Sequence, residues 1–139
     1  MTSAQDVKVG DVLGPLTLPP ISRTTLALFA GASHDHNPIH IDIDVARSAG
    51  LDDVISHGML SMAYLGRLLT DWQPQPHVRM FSVRFVAITP VHGQPTCRGR
   101  VASIEHDGRQ SVAKLDLEVL ADGTPTLTGV ATVFLGEST

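Results

Sequence analysis

Hydrophobic residues follow a helical spacing in the first half of the chain and an alternating spacing in the second half. Ser22 is a good N-cap for a helix over residues 23–32, whose apolar side chains share one face. Asp44 is predicted to cap a short helix over residues 45–49. A longer helix is predicted over residues 58–71 and is apolar on nearly every side, which is typical of a buried helix.

The second half predicts antiparallel strands separated by turns, of which Asp122-Gly123 is the strongest hairpin signal. The predicted strands cover residues 78–88, 97–105, 110–120 and 124–135, with a short additional strand at residues 16–18. A sheet with one apolar face needs a cover, and the helix over residues 58–71 is the element apolar enough to provide it. The pattern therefore predicts an α+β fold in which an antiparallel sheet wraps one central helix, with an open sheet edge that favours dimerisation.

Composition narrows the class of protein. The length of 139 residues predicts a single domain over residues 1–139, and a hydrophobic content of 42% supports an ordinary core. The net charge of −4 gives no reason to expect nucleic acid or an acidic membrane as a partner. A single cysteine, Cys97, suits a reducing compartment. Residues 1–11 lack an apolar signal region and no apolar run is long enough to span a membrane, so a cytoplasmic protein is expected.

The polar cluster over residues 33–44 is the most informative segment, since it contains three histidines, three aspartates, an asparagine and a proline. Asn37-Pro38 prevents a regular helix through its middle, so the cluster is expected on irregular backbone. Across that bend, Asp35 and His40 could converge on one water molecule. A carboxylate and an imidazole around one water can take a proton from it and return a proton elsewhere, which suits addition of water to an activated double bond.

A metal site is the alternative interpretation of the same cluster. His34, His36 and His40, with Asp42 or Asp44, could supply nitrogen and oxygen ligands. The Asn-Pro pair breaks the regularity of this set before its third histidine, and no cysteine pair or His-Glu-x-x-His helix supports it. The favoured prediction is therefore no metal, with the first two histidines as exposed bystanders.

A second segment, residues 55–59, leads directly into the apolar helix. The start of a helix presents free backbone N–H groups and a positive dipole, and Gly58 lets a ligand oxygen approach the backbone closely. This describes an oxyanion hole for a polarised carbonyl. Together the two segments predict hydration of the double bond of an α,β-unsaturated carbonyl compound.

These residues resemble the MaoC-like dehydratases, the (R)-specific enoyl-CoA hydratase family with the hotdog fold. The run from Phe29 to His40 resembles the hydratase motif of that family, an aromatic residue followed by Asp-x-Asn-Pro-Ile-His. Ser-His-Gly-Met-Leu at residues 56–60 is similar to its helix-start segment, and the likeness continues through residues 83–85 and Pro90-Val91. The two motifs at this separation are specific, and the resemblance covers nearly the whole chain.

The resemblance implies a single hotdog of about five strands wrapped around the helix that begins at Gly58. Family members add water to trans-2-enoyl thioesters to give (R)-3-hydroxyacyl thioesters, or remove it. Their substrates are carried on coenzyme A or acyl-carrier protein, and no metal or further cofactor is needed. The resemblance implies that Asp35 and His40 are the catalytic pair, that Gly58 donates its backbone N–H to the thioester carbonyl and that Asn37 supports the loop. The residues predicted to bind substrate are Asn37, His57, Met59 and Arg84.

Two departures from the family pattern bear on these expectations. His34 occupies a position before the catalytic aspartate where the family often has glycine. The chain also holds one hotdog unit where some relatives hold two, so it is expected to form a homodimer or higher homo-oligomer, or a heterodimer.

The strand arginines, Arg84 with Arg79, Arg98 and Arg100, are candidates for contacts to coenzyme A phosphates. The alternatives in function are a hotdog acyl-CoA thioesterase and a subunit of a heteromeric dehydratase.

Overall fold

Five antiparallel strands form one sheet that packs against a single long helix in the computed structural model, which describes residues 6–137. The strands are β1 (Val12–Thr17), β2 (Val78–Phe85), β3 (Pro95–Asp107), β4 (Gln110–Ala121) and β5 (Thr124–Glu137). The helices are α1 (Arg23–Ser33), α2 (Ile43–Ser48) and α3 (Gly58–Trp72), with single 3₁₀ turns at Pro38–His40 and Gln75–His77. The strand order is β1-β3-β4-β5-β2. The predicted α+β hotdog architecture is thereby confirmed.

Two predictions extend beyond the residues that the structure describes. The predicted single domain over residues 1–139 and the absence of a signal segment in residues 1–11 both involve residues 1–5, and the first also involves residues 138–139. Among the described residues, no helix is both long and apolar enough to cross a bilayer. The longest helix, α3, has 15 residues and measures roughly 22 Å, against about 30 Å for a bilayer core.

The start of α1 was predicted correctly and the start of α2 was not. The Thr25 N–H donates to the Ser22 hydroxyl at 3.0 Å, which satisfies one of the free amides at the start of α1. In α2 the cap is Asp42, which accepts a hydrogen bond from the Asp44 N–H at 2.9 Å. An aspartate readily binds the amide two residues further on, so Ile43–Ser48 becomes helical two residues earlier than predicted and Asp44 lies in the first turn.

Strand ends differ from the predicted ones where local hydrogen bonding overrides alternation. β2 ends at Phe85 because the next two amides, Val86 and Ala87, both donate to the Thr126 carbonyl, at 2.9 and 3.3 Å. β1 begins at Val12, four residues earlier than predicted. Its pairing with β3 is irregular between Leu13 and Leu16, so the alternation that marks a strand is interrupted there.

The remaining strands extend the predictions at their ends. β3 starts at Pro95 and continues to Asp107, so two residues predicted as part of the following turn belong to the ladder. The turn itself is formed by Gly108-Arg109. β4 and β5 match the predicted strands to within two residues at each end. Long hairpins were therefore correctly identified from alternation and turn residues.

The core is formed on two sides of α3. Leu65 is fully buried at the centre of the larger cluster, between the helix and the sheet, with inward side chains from four strands, including Leu13, Val101, Leu115 and Val133. A smaller cluster packs α1 and α2 against the start of α3 through Ile21, Leu26, Ala46, Val54 and Leu60. Tyr64 contacts both clusters. Burial on both sides fixes the axial position of α3, and with it the position of the first helical residue.

One side of α3 is not buried, although the helix was predicted to be buried nearly all round. Met59 is 55% exposed, and Ala63 and Arg67 are also exposed at intervals of four residues. Phe85 and Ile88, at and beyond the end of β2, are 52% and 56% exposed. β2 pairs with β5 on one side and, among the described residues, with no strand on the other. The chain therefore presents an open sheet edge and apolar side chains at the same end of β2.

Replacing Leu65 with alanine tests how far the fold depends on the burial of α3. The substitution should lower the free energy of unfolding by about 2–5 kcal/mol, because it removes buried methyl groups and leaves a cavity. The matched control is Leu28→Ala on α1, where the side chain is 69% exposed and the cost should stay within about 0.5 kcal/mol. Equal losses in the two variants, measured by urea unfolding, would contradict this account of the core.

Candidate active site

The loop after α1 is built from side-chain-to-backbone hydrogen bonds. The Asp35 N–H donates to the Ser33 hydroxyl, and the Asn37 N–H donates to Asp35 Oδ1, both at 3.2 Å. The Ile39 N–H then donates to Asn37 Oδ1 at 3.1 Å. Such turns let a short polar sequence hold an irregular path without helix or strand ladders. Asn37 thus supports the loop, and the second oxygen of Asp35 remains available.

His40 lies opposite that second oxygen. Its Nε2 is 3.9 Å from Asp35 Oδ2, too far for a direct hydrogen bond and near enough for one water oxygen to bind both atoms. On the other side of the ring, Nδ1 lies 2.7 Å from the Ile55 carbonyl oxygen. A carbonyl only accepts hydrogen bonds, so Nδ1 carries the hydrogen and Nε2 of the neutral ring has a free lone pair. The structure therefore brings together the Asp35–His40 pair predicted from the sequence.

His57 lies directly behind the pair and is 1% exposed. Its ring stacks on the ring of His40 with centroids 3.7 Å apart, and its Nε2 lies 3.1 Å from the Asp35 carbonyl oxygen. Burial lowers the pKa of His57, the hydrogen bond to the Asp35 carbonyl raises it in part, and the charge of His40 lowers it further. The balance favours a neutral imidazole.

Gly58 is the first residue of α3 and completes the group. The first amides of a helix have no acceptor within the helix, and the residue before Gly58 provides no side-chain cap. A Cβ atom at this position would lie 2.8 Å from the ring of Phe85, so a larger residue would require that ring to move. The amide end of α3 and the His40 ring thus meet at one cavity.

A cavity of about 490 Å³ opens at this meeting point. Its wall includes His40 and Gly58, and most of the other side chains are apolar: Ile55, Phe85, Val86, Ala87, Ile88 and Leu127. Neither Asp35 nor Met59 is part of the wall. Arg84 lines a different cavity of about 870 Å³ on the outer face of the sheet, together with Arg98 and Arg100. None of the four residues predicted for substrate binding, Asn37, His57, Met59 and Arg84, therefore belongs to the wall of this cavity.

Geometry argues against one metal ion bound by both His40 and His57. Ligand atoms of Asp35, His40 and His57 lie within 4.8 Å of one another. Imidazole lone pairs lie in the ring plane, and the two rings are stacked with only 25° between their planes. One ion about 2.0–2.1 Å from both nitrogens cannot lie in both planes. The metal ligands considered from the sequence do not come together either. The exposed rings of His34 and His36 are 6.0 Å apart and do not join the group around His40.

The residue before Asp35, His34, has an unusual backbone conformation. His34 is the C-cap of α1 and has φ 61° and ψ 14°, in the left-handed region. Glycine adopts this conformation at no steric cost, whereas a side chain is disfavoured there. The glycine typical of the resembled family at this position therefore has a conformational reason, and His34 is a strained helix cap with its side chain exposed.

Several residues of the site were not predicted. The Ile55 carbonyl orients His40, and Phe29 packs edge-on against His57 with ring centroids 4.9 Å apart. Backbone acceptors carry no side-chain signature, so Ile55 could not have been found from its residue type. The apolar wall from Phe85 to Ile88 had a signal, since apolar residues continue past the point at which the ladder ends.

Several known proteins are similar to this chain. Residues 8–121 match the profile of a protein family described as MaoC like domain. A mitochondrial 3-hydroxyacyl-acyl-carrier-protein dehydratase of Arabidopsis thaliana is 38% identical over 64 residues, which are 46% of this chain and 37% of that protein. An (R)-specific enoyl-CoA hydratase of Rhodospirillum rubrum is 39% identical over 56 residues, which are 40% of this chain and 39% of that protein. The chain matches well under half of the length of either relative.

Similarity to a solved structure extends over more of the chain. The (R)-hydratase from A. caviae superposes with a TM-score of 0.82 and 27% sequence identity, covering 95% of this chain and 99% of that one. The whole of the described architecture is therefore found in a hydratase of known structure.

Glycine at position 34 should stabilise the protein. His34→Gly relieves the positive φ angle and should raise the free energy of unfolding by up to about 1 kcal/mol. His36→Gly, two residues along the same loop at a residue without a positive φ, should instead lower it by about 0.5–1 kcal/mol. The measurement is chemical unfolding of both variants beside the unmodified chain. A destabilised His34→Gly variant would contradict the strain assigned to this cap.

Proposed function

The chain belongs to the MaoC like domain family, and from that premise we propose that it adds water to trans-2-enoyl thioesters, or removes water from (R)-3-hydroxyacyl thioesters. One observation carries the proposal. Asp35 Oδ2 and His40 Nε2 face each other across 3.9 Å, and His40 lines the same cavity as Gly58, the first residue of α3. A water-activating pair and a donor for a thioester carbonyl are the two requirements of this reaction.

In the proposed hydration, one water lies between Asp35 and His40. The free lone pair on His40 Nε2 takes a proton from this water while Asp35 Oδ2 orients it. The water oxygen bonds to the β-carbon, and the electrons of the double bond move toward the thioester oxygen. The Gly58 N–H binds that oxygen as its negative charge grows. The protonated pair then returns a proton to the α-carbon, so the charges balance and no metal or cofactor takes part.

Substrate specificity follows from the cavity in this proposal. The acyl group lies against the apolar wall formed by Phe85, Ile88 and Leu127. Coenzyme A and acyl-carrier protein both remain possible carriers, since the relatives described above include one enzyme named for each. Arg84 contacts the carrier only if the carrier reaches the outer face of the sheet.

The alternative of a thioesterase uses the same residues differently. Water held by Asp35 and His40 would then attack the thioester carbonyl itself and release a free thiol. A subunit of a heteromeric dehydratase is the other alternative, in which activity requires a partner chain. In the assay below, a thioesterase would release thiol as the substrate is lost, and a heteromeric subunit would show no hydration as an isolated chain.

Substitution of the pair tests the proposal. Asp35→Asn and His40→Ala should each reduce hydration of a short trans-2-enoyl-CoA by roughly 10²-fold or more, because each removes proton transfer to or from the water. The assay follows loss of the conjugated enoyl thioester absorbance, with a thiol reagent present in parallel samples. The matched control is His36→Ala, an exposed histidine of the same loop, which should retain activity.

Two results would overturn the proposal. Full hydration activity in Asp35→Asn would remove the carboxylate from the mechanism. Thiol release at the rate of substrate loss would identify a thioesterase.

We also propose a homodimer that forms along β2. The open edge of this strand offers unpaired backbone groups. Met80 within the strand and Val86 directly after it are 43% and 48% exposed. Strand pairing across such an edge satisfies the backbone groups and covers apolar surface. Sedimentation equilibrium should give the mass of two chains at micromolar concentration. The mass of one chain throughout would contradict the homodimer and favour a heteromeric partner.

A further inference from the structure

His57 has a buried side chain whose position is not explained by capping or by substrate contact. It immediately precedes α3, yet its ring makes no side-chain hydrogen bond to the start of the helix. It is 1% exposed and does not belong to the wall of the cavity. Burying a polar ring costs free energy unless its hydrogen bonds are replaced. The contacts that the ring makes inside the protein should therefore reveal its role.

Those contacts reach both members of the proposed pair. Nε2 of His57 lies 3.1 Å from the Asp35 carbonyl oxygen, so it holds the main chain of the loop. The face of the ring stacks on the His40 ring at 3.7 Å. Phe29 also packs edge-on against the His57 ring, with ring centroids 4.9 Å apart. One side chain thus fixes the backbone of the carboxylate and the plane of the imidazole.

The hydrogen bond defines which form of the ring is present. The Asp35 carbonyl only accepts, so Nε2 of His57 carries the hydrogen. The other nitrogen, Nδ1, is buried and has no hydrogen-bond partner among the described residues. A proton there would be a buried donor without an acceptor, which is costly. The neutral ring with hydrogen on Nε2 is the form that fits, and a neutral ring does not repel His40 when His40 holds a proton.

We infer that His57 is a positioning residue: its neutral ring holds the Asp35 main chain and the His40 imidazole against the start of α3. The inference rests on the proposed function, because it explains how the water-activating pair keeps a fixed relation to the Gly58 amide. Misplacement of a reacting group by about 1 Å can cost about 10²-fold in rate. The role differs from the substrate contact expected for His57 from the sequence, since His57 acts through the other two residues.

Two variants separate the two contacts. His57→Gln keeps a donor near the Asp35 carbonyl and loses the stacked ring, whereas His57→Phe keeps a ring and loses the donor. Each should lower kcat for enoyl thioester hydration by about tenfold or more, with KM changed by less than about twofold, because the substrate does not touch this residue. Val133→Ala, a fully buried change in β5, is the control for lost packing and should leave kcat unchanged. Wild-type kcat in either folded His57 variant would overturn the inference.

A second measurement does not depend on activity or on any variant. Nitrogen-15 NMR of the unmodified protein should show the neutral tautomer of His57 with hydrogen on Nε2 at neutral pH, because the side-chain nitrogen shifts distinguish the tautomers. A charged ring, or hydrogen on Nδ1, would overturn the inference. An unmodified protein that hydrates no enoyl thioester would refute the proposed function alone, and the tautomer would then decide whether His57 holds the loop.

Discussion

Burial of α3 is the constraint on which the site depends. The helix is held between the sheet, through residues such as Leu65, and the smaller cluster beneath α1 and α2, through Leu60. A helix packed on both sides has little freedom to slide along its axis. Its amide end is therefore fixed in space, and Gly58 presents it to the cavity. The most apolar helix of the chain, α3, thus sets the position of the amide that binds the thioester oxygen in the proposed mechanism.

Two long-range hydrogen bonds join the polar loop to that helix end. His40 donates from Nδ1 to the Ile55 carbonyl, and His57 donates from Nε2 to the Asp35 carbonyl. Each bond uses a backbone oxygen as the acceptor, which determines which nitrogen of each imidazole carries hydrogen. The two stacked rings consequently carry hydrogen on different nitrogens. His40 has a free lone pair on Nε2 toward the cavity, whereas His57 donates from Nε2 to the main chain. The backbone carbonyls of Ile55 and Asp35 thus determine the tautomers of the two histidines.

The end of β2 contributes both to the wall of the cavity and to the open edge of the sheet. Phe85 and Ile88 are about half exposed and belong to the cavity wall, while β2 itself is an edge strand. Apolar surface at a sheet edge is normally covered by substrate, by another chain or by both. The ring of Phe85 also lies 2.8 Å from where a Cβ at position 58 would be, so any larger residue at the helix start would displace that ring. Cavity shape, helix start and sheet edge are therefore physically linked.

The sequence by itself determined the features that depend on local spacing. These include the α1 cap at Ser22, the apolar helix from Gly58, the four long strands and the Asp35–His40 pair flanking Asn37. The predicted start of α2 was wrong because Asp42, and not Asp44, accepts the capping hydrogen bond. The predicted end of β2 was wrong because the amides of Val86 and Ala87 share the Thr126 carbonyl as acceptor.

Only the tertiary structure decided which groups meet. It stacked His57 on His40, assigned the Ile55 carbonyl as an acceptor and separated Arg84 from the cavity. The left-handed backbone at His34 likewise became evident only from its dihedral angles. The physical reason is that periodicity and capping act over a few residues of one segment. The approach of a loop to a helix start or of a ring to a distant carbonyl depends on how the buried core orients whole elements.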